Sequence, residues 1–180
     1  MPLEDTFKPV LKSQYHAALA MLRDAVERCP DELWTASGHL SAFWQVAYHC
    51  VFFTHLYLHT EEAAFRLWPG HQRDVQHDDG LTNSPDPKST LPLLPAVYSK
   101  SDVLAYWEIC DRMVDETVDA MDLDAPSCGF SWYRVSKLEH QLINLRHVQH
   151  HTAQLADRLR TAVDVNVKWV GAHPSPAAAD

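Results

Sequence analysis

The chain reads as an all-α protein, a four-helix bundle with long crossover connections. Two observations predict this. Four amphipathic stretches of about 20 residues or more recur along the chain, joined by two long polar connections. Strand signals are weak throughout, and glycine is scarce, at 5 of 180 residues, which argues against a sheet built on many tight turns. A chain of 180 residues is long enough for one domain with a sizeable core. We expect that domain over residues 1–165 and a C-terminal tail over 166–180, loose at its end.

The first helix is expected over about Asp5–Arg28, where Val10, Leu11, Ala18, Leu19, Leu22 and Val26 fall three and four apart. Pro9 lies in its first turns and predicts a later start or a kink, and Pro30 breaks the helix. Asp31 then caps a short turn holding Leu33 and Trp34. A second helix is expected over Ser41–Phe65, with Ser41 as its N-cap and Pro69-Gly70 beyond its end. Its run "SAFWQVAYHCVFFTHLYLHT" has no Asp, Glu, Lys or Arg and is about the length of a membrane span. It carries Gln45, His49, His55 and His59 and lacks basic anchors, so it reads as a buried central helix.

Residues 67–99 form a long Pro-, Asp- and Ser-rich loop whose "TLPLLPAVYS" should pack back onto the bundle. The third helix is expected over Ser101–Met121, with Ser99 or Ser101 as cap. After the aromatic loop "DLDAPSCGFSWYRV", the fourth runs over Ser136–Ala162, opened by a capping box of Ser136 and Glu139. On this last helix Leu138, Leu142, Leu145, Val148, Leu155, Ala156 and Leu159 define the apolar stripe.

Composition excludes several functions. No GxGxxG and no GxxxxGK[ST] occurs, so nucleotide binding by those routes is not expected. The formal net charge of −9 and the lack of a basic stripe speak against nucleic acid. Neither a membrane span nor a signal peptide is read, and Cys29, Cys50, Cys110 and Cys128 form no CxxC pair, so a cytoplasmic protein with reduced thiols is expected. Three of them sit in helical patterns as core filler; Cys128, in a loop, is the only candidate for a reactive thiol, and an inert one is the ordinary reading.

Chemistry concentrates in "NLRHVQHHTAQLADRLR", residues 144–160. His147 and His151 stand at i, i+4, so both imidazoles reach one side of the helix at the edge of the apolar stripe, where both can reach one ion. His150 sits further round, toward solvent. A metal needs a third ligand from a facing helix, and His49 stands alone in the apolar "WQVAYHCVFF". His55 and His59, with Glu62 three beyond, form a rival pair. From residue types alone a core histidine or a solvated doublet remains open.

His49 in "FWQVAYHCVFF" and the H-x-x-x-H of "RHVQHHTAQL", together with the order and length of the helices, resemble the DinB-like (DinB/YfiT) superfamily over most of the chain. The resemblance implies an up-down-down-up connection of the four helices. It implies that His49, His147 and His151 bind a divalent metal ion, nickel or zinc. Ala153 stands where the family often has Gly, which affects helix packing rather than ligation. Family members include S-transferases and isomerases that use bacillithiol, mycothiol or glutathione, so a small-molecule thiol and an electrophile are the implied partners, and a homodimer the implied assembly. On that reading Tyr48, Asn144 and Arg146 orient the site, and loops around Trp68 and Trp132 line the electrophile pocket. Metal-dependent hydrolysis, with Glu139 as base, and a non-catalytic metal-binding or stress-related role are the alternatives.

Overall fold

A computed structural model describes residues 3–72, 75–76 and 96–173. Among them are α1 (Leu3–Arg28), α2 (Asp31–Trp34), α3 (Phe43–Leu58), a 3₁₀ turn (Glu62–Ala64), α4 (Lys100–Ala120) and α5 (Lys137–Val163). No described residue is in a strand, so the protein is all-α. Pro9 does not delay α1 but lies inside it. It removes the N–H that would bond the Asp5 carbonyl, and both residues are exposed, where solvent can serve that carbonyl.

The helix starts follow local chemistry. Ser99 caps α4 in a reciprocal box: its Oγ accepts from Asp102 N at 3.2 Å, and Asp102 Oδ2 accepts from Ser99 N at 2.9 Å. Ser136 Oγ accepts from Glu139 N at 3.2 Å and caps α5. The start of α3 differs from expectation. Its cap is Ala42, whose N–H is taken by Gln45 Oε1 at 2.7 Å, while Ser41 stands outside the helix and its carbonyl accepts from Arg158 Nη1 at 2.9 Å.

α3 also stops seven residues before Phe65, because tertiary bonds capture the backbone beyond it. Glu62 N donates to Gly129 O at 3.1 Å, and the buried Lys137 ammonium donates to the Thr60 and Cys128 carbonyls. Gly129 has φ +84°, and a Cβ there would stand 2.7 Å from Thr60 O, so this close approach requires glycine.

The four long helices enclose one core, which includes Tyr15, Leu19, Leu22, Tyr48, Val51, Tyr106, Val114, Val148 and Leu155. α1 and α3 each pack against both α4 and α5. Trp107 Nε1 donates to Leu19 O at 2.9 Å and Lys12 pairs with Asp119 at 2.6 Å, so α4 runs antiparallel to α1. Gln141 Nε2 donates to Tyr57 O at 3.1 Å, and Cys50 Sγ meets Val148 O at 3.8 Å, so α5 runs antiparallel to α3.

Of the long connection, residues 73–74 and 77–95 lie outside the described residues, and with them most of "TLPLLPAVYS". Within the described part Tyr98 is buried. Its ring stacks on Tyr48 at 4.4 Å, and its carbonyl accepts from Trp34 Nε1 at 2.8 Å. After α5, Asp164 takes a left-handed conformation (φ 55°), and the chain returns along α1, where Lys168 N donates to Asp24 Oδ2 at 3.0 Å. The expected loose end falls on 174–180, outside the described residues.

All four cysteines are free and buried. Cys128 is therefore no exposed thiol: its loop folds inward and its Sγ faces the Phe130 and Tyr133 carbonyls. No helix among the described residues is long and apolar enough to cross a membrane. The charge-free run is α3, buried by α4 and α5.

Candidate metal centre

The seam between α3 and α5 brings three histidines together. α5 presents His147 and His151 one turn apart, and α3 presents His49 opposite them. One ligand nitrogen from each lies within 4.8 Å of the other two. His49 Nε2 and His147 Nε2 are 3.0 Å apart. Nitrogens bound at ~2.0–2.1 Å to one ion lie about 3 Å apart, so this spacing suits a shared ligand sphere. The rings meet at 5.0 Å (His49–His147), 4.5 Å (His49–His151) and 4.4 Å (His147–His151).

The second nitrogens decide which ones face inward. His49 Nδ1 lies 2.6 Å from the Gln76 carbonyl, which only accepts, so Nδ1 carries the proton and Nε2 keeps its lone pair. His151 Nδ1 lies 2.8 Å from Gln154 Oε1, with the same consequence. Such outer hydrogen bonds orient imidazole ligands and raise their basicity. His147 Nδ1 is buried with no hydrogen-bond partner among the described residues. Burial, and then its neighbours His151 and His49, hold the His147 imidazole far below the ordinary histidine range, so it is neutral at pH 7. The donor set is thus all-imidazole and suits a borderline divalent ion. This group could hold a metal ion.

The other histidines sort away from it. His150 is exposed, its ring 4.9 Å from His151, and stands outside the cluster. The rival pair is used structurally: His55 is buried with Nδ1 2.9 Å from Tyr106 Oη, and His59 Nδ1 donates to the His55 carbonyl at 2.8 Å. Glu62 turns instead to Ser131 Oγ, at 3.0 Å.

Of the residues expected to orient the site, Asn144 fits by position. It is buried one turn before His147 and holds α5 to α3 through Thr54 O at 3.4 Å. Tyr48 points away, with Oη 2.7 Å from His71 Nδ1, and Arg146 is exposed. Trp68 stacks on Tyr106 of α4 at 4.8 Å, away from the α3–α5 seam. Trp132 is half-exposed and reaches the seam through a hydrogen bond to Tyr57, whose ring lies 6.5 Å from His147. Glu139 is exposed in the first turn of α5, beside its cap.

The expected stripe of α5 is also corrected. Leu142 is 47% exposed, and Leu138 and Leu145 are only partly buried, whereas Lys137, His140, Gln141 and Asn144 face the interior. Polar interior groups are tolerated where partners meet them: Gln141 bonds Tyr57 O and accepts from Tyr15 Oη at 2.7 Å.

A model of the DinB superfamily matches residues 14–155. The chain belongs to the DinB superfamily. The matched stretch of this DinB-superfamily protein contains His49, His147 and His151 and reaches from α1 into the second half of α5. No curated protein and no solved structure matches the chain.

Sequence reasoning missed four contributors to this region. Gln154 was legible, three residues after His151 on the same helix. Phe53, one turn after His49, packs against it at 4.7 Å. His140 lies seven residues before His147, a spacing that returns to the same face of a helix. Gln76 had no signal, because the fold alone brings its carbonyl to His49.

Proposed function

We propose that this DinB-superfamily protein binds one divalent metal ion, nickel or zinc, through Nε2 of His49, His147 and His151, and acts as a transferase on a low-molecular-weight thiol and an electrophile. The observation that carries this is the convergence of three imidazole nitrogens within 4.8 Å, with the Nδ1 atoms of His49 and His151 engaged elsewhere. Three neutral imidazoles would leave a bound divalent ion its full charge, and the chemistry it would supply is a lowered proton affinity of a thiol held there. The chain's own part is to hold the three rings in place. Gln76 and Gln154 fix two of them, and Asn144 clamps the two helices that carry all three.

The thiol reading is favoured over hydrolysis because, among the described residues, no carboxylate joins the three histidines. Activating a water molecule calls for a nearby base, and Glu139 stands exposed in the first turn of α5, two turns before His147.

Metal content by mass spectrometry tests the reading, on tag-free protein purified without added metal. We expect about one ion per chain in the wild type, as one three-ligand site provides. His49→Ala and His147→Ala should each bring this close to zero and abolish thiol transfer to a generic electrophile. Wild-type protein that stays metal-free after reconstitution would sink the reading.

A further inference from the structure

α3 opens to the surface along one line. Of its sixteen residues only Gln45, His49 and Phe53 are not buried. They follow one another at i, i+4 and i+8 and form one stripe of the helix. Gln45 is engaged in capping, and His49 belongs to the histidine cluster. Phe53 is therefore the α3 side chain that stands beside the metal centre on its open line.

Its surroundings are aromatic. The Phe53 ring lies 4.7 Å from His49 and 5.6 Å from His147, edge-to-face with the latter at 66°. Behind it Tyr57 packs at 5.6 Å and is itself edge-to-face with Phe130 and Tyr133. Thirteen of the sixteen α3 side chains are buried, and Phe53 is the one phenylalanine, tyrosine or tryptophan among them that keeps part of its surface open, at the point where α3 leaves the histidines open. Rings prefer edge-to-face or offset contact with other rings, so a flat ligand group gains there what a saturated one of equal size does not.

We propose that Phe53, backed by Tyr57, is the specificity-determining wall of the metal centre, and that it selects ligands with an aryl group next to their metal-binding atom. This rests on the metal-binding reading above and narrows its electrophile or thiol to an aromatic class. Phe53 acts by positioning the ligand and takes no part in bond making.

The test separates the two. Protein reconstituted with Co(II) is assayed for cobalt by mass spectrometry. It is then titrated with benzohydroxamate and with cyclohexanecarbohydroxamate, followed by the visible cobalt spectrum. These probes chelate an open metal site without any thiol chemistry and differ only in a flat against a saturated ring. We expect benzohydroxamate to bind about three- to tenfold more tightly, the ratio that one good aromatic contact provides. Phe53→Leu, which keeps apolar bulk, should bring the ratio close to one at unchanged cobalt content, and Phe53→Tyr should preserve it. Equal affinities in the wild type, or a ratio that survives Phe53→Leu, would overturn this inference and leave the metal centre standing. A wild-type protein that holds no cobalt would overturn both.

Discussion

His140 is fully buried inside a cage of rings: Phe130 stacks on it at 4.7 Å, and Tyr57 and Tyr133 meet it edge-on at 4.8 and 5.3 Å. Neither ring nitrogen has a hydrogen-bond partner among the described residues. Burial, and then the nearby Lys137 ammonium, push the imidazole down to about 4. An unsatisfied buried polar group costs roughly 1–3 kcal/mol, so His140→Leu should be neutral or stabilising by up to about that amount at pH 7, measured by urea unfolding. A loss of more than about 2 kcal/mol would show that the nitrogens are satisfied after all. The sequence hints at His140 only through its spacing to His147. Nothing local reveals that the Leu142 side of α5 faces out and the His140 side faces in.

At the scale of elements, the caps of α4 and α5 and the ends of α1, α4 and α5 were legible, whereas Pro30 and Ala42 cap α2 and α3 in place of the expected Asp31 and Ser41, and the end of α3 was not legible. Ser99 and Ser136 cap their helices because hydroxyl oxygens there meet orphan N–H groups, a requirement of local geometry. The end of α3 follows from residues about 70 positions away, where the Gly129 carbonyl and the Lys137 ammonium take over the backbone groups of Glu62 and Thr60. Gly129 is the hinge of that arrangement. Replacing it with Ala places a Cβ against Thr60 O in a left-handed conformation, and Gly129→Ala should cost about 1–3 kcal/mol. Thermal unfolding would show this as a clear drop in Tm. An unchanged Tm would mean that the 3₁₀ turn does not depend on this approach.

Across the whole molecule, histidines set the response to acid. His55 and His140 are each pushed down to about 4, in both cases first by burial. A lowered folded-state value means that the folded protein resists protonation. Protonation therefore costs the fold nothing above the unfolded value of about 6.5, and an acid penalty grows as pH falls from there toward 4, on the order of 3 kcal/mol for each ring. His16 has the opposite sign. Its hydrogen bond to Asp111, at 2.7 Å, raises it, so its contribution is full below about 6.5 and fades as pH rises through the raised value. Two lowered rings thus stand against one raised one, His16, which is itself partly buried. Urea unfolding at pH 7 and pH 4.5 should therefore show a marked loss at the lower pH, with a smaller loss in His140→Leu. Equal stability at both values would mean that these rings are hydrated in the folded state.

By itself the sequence determined the helical class, the approximate spans of the four long helices, two of their caps and the H-x-x-x-H pair on α5. These depend on periodicity and on interactions a few residues apart, which the order of residues carries directly. It also singled out His49, because an imidazole in an apolar run calls for a partner. The family resemblance already implied that this partner stands on α5; only the tertiary structure brought it to 3.0 Å, at His147. The same packing put the Gln76 carbonyl behind His49, sent His55 to Tyr106 and left Phe53 on the open line of α3. Each of these depends on the relative rotation of packed helices, a property of the whole core that no local stretch of residues encodes.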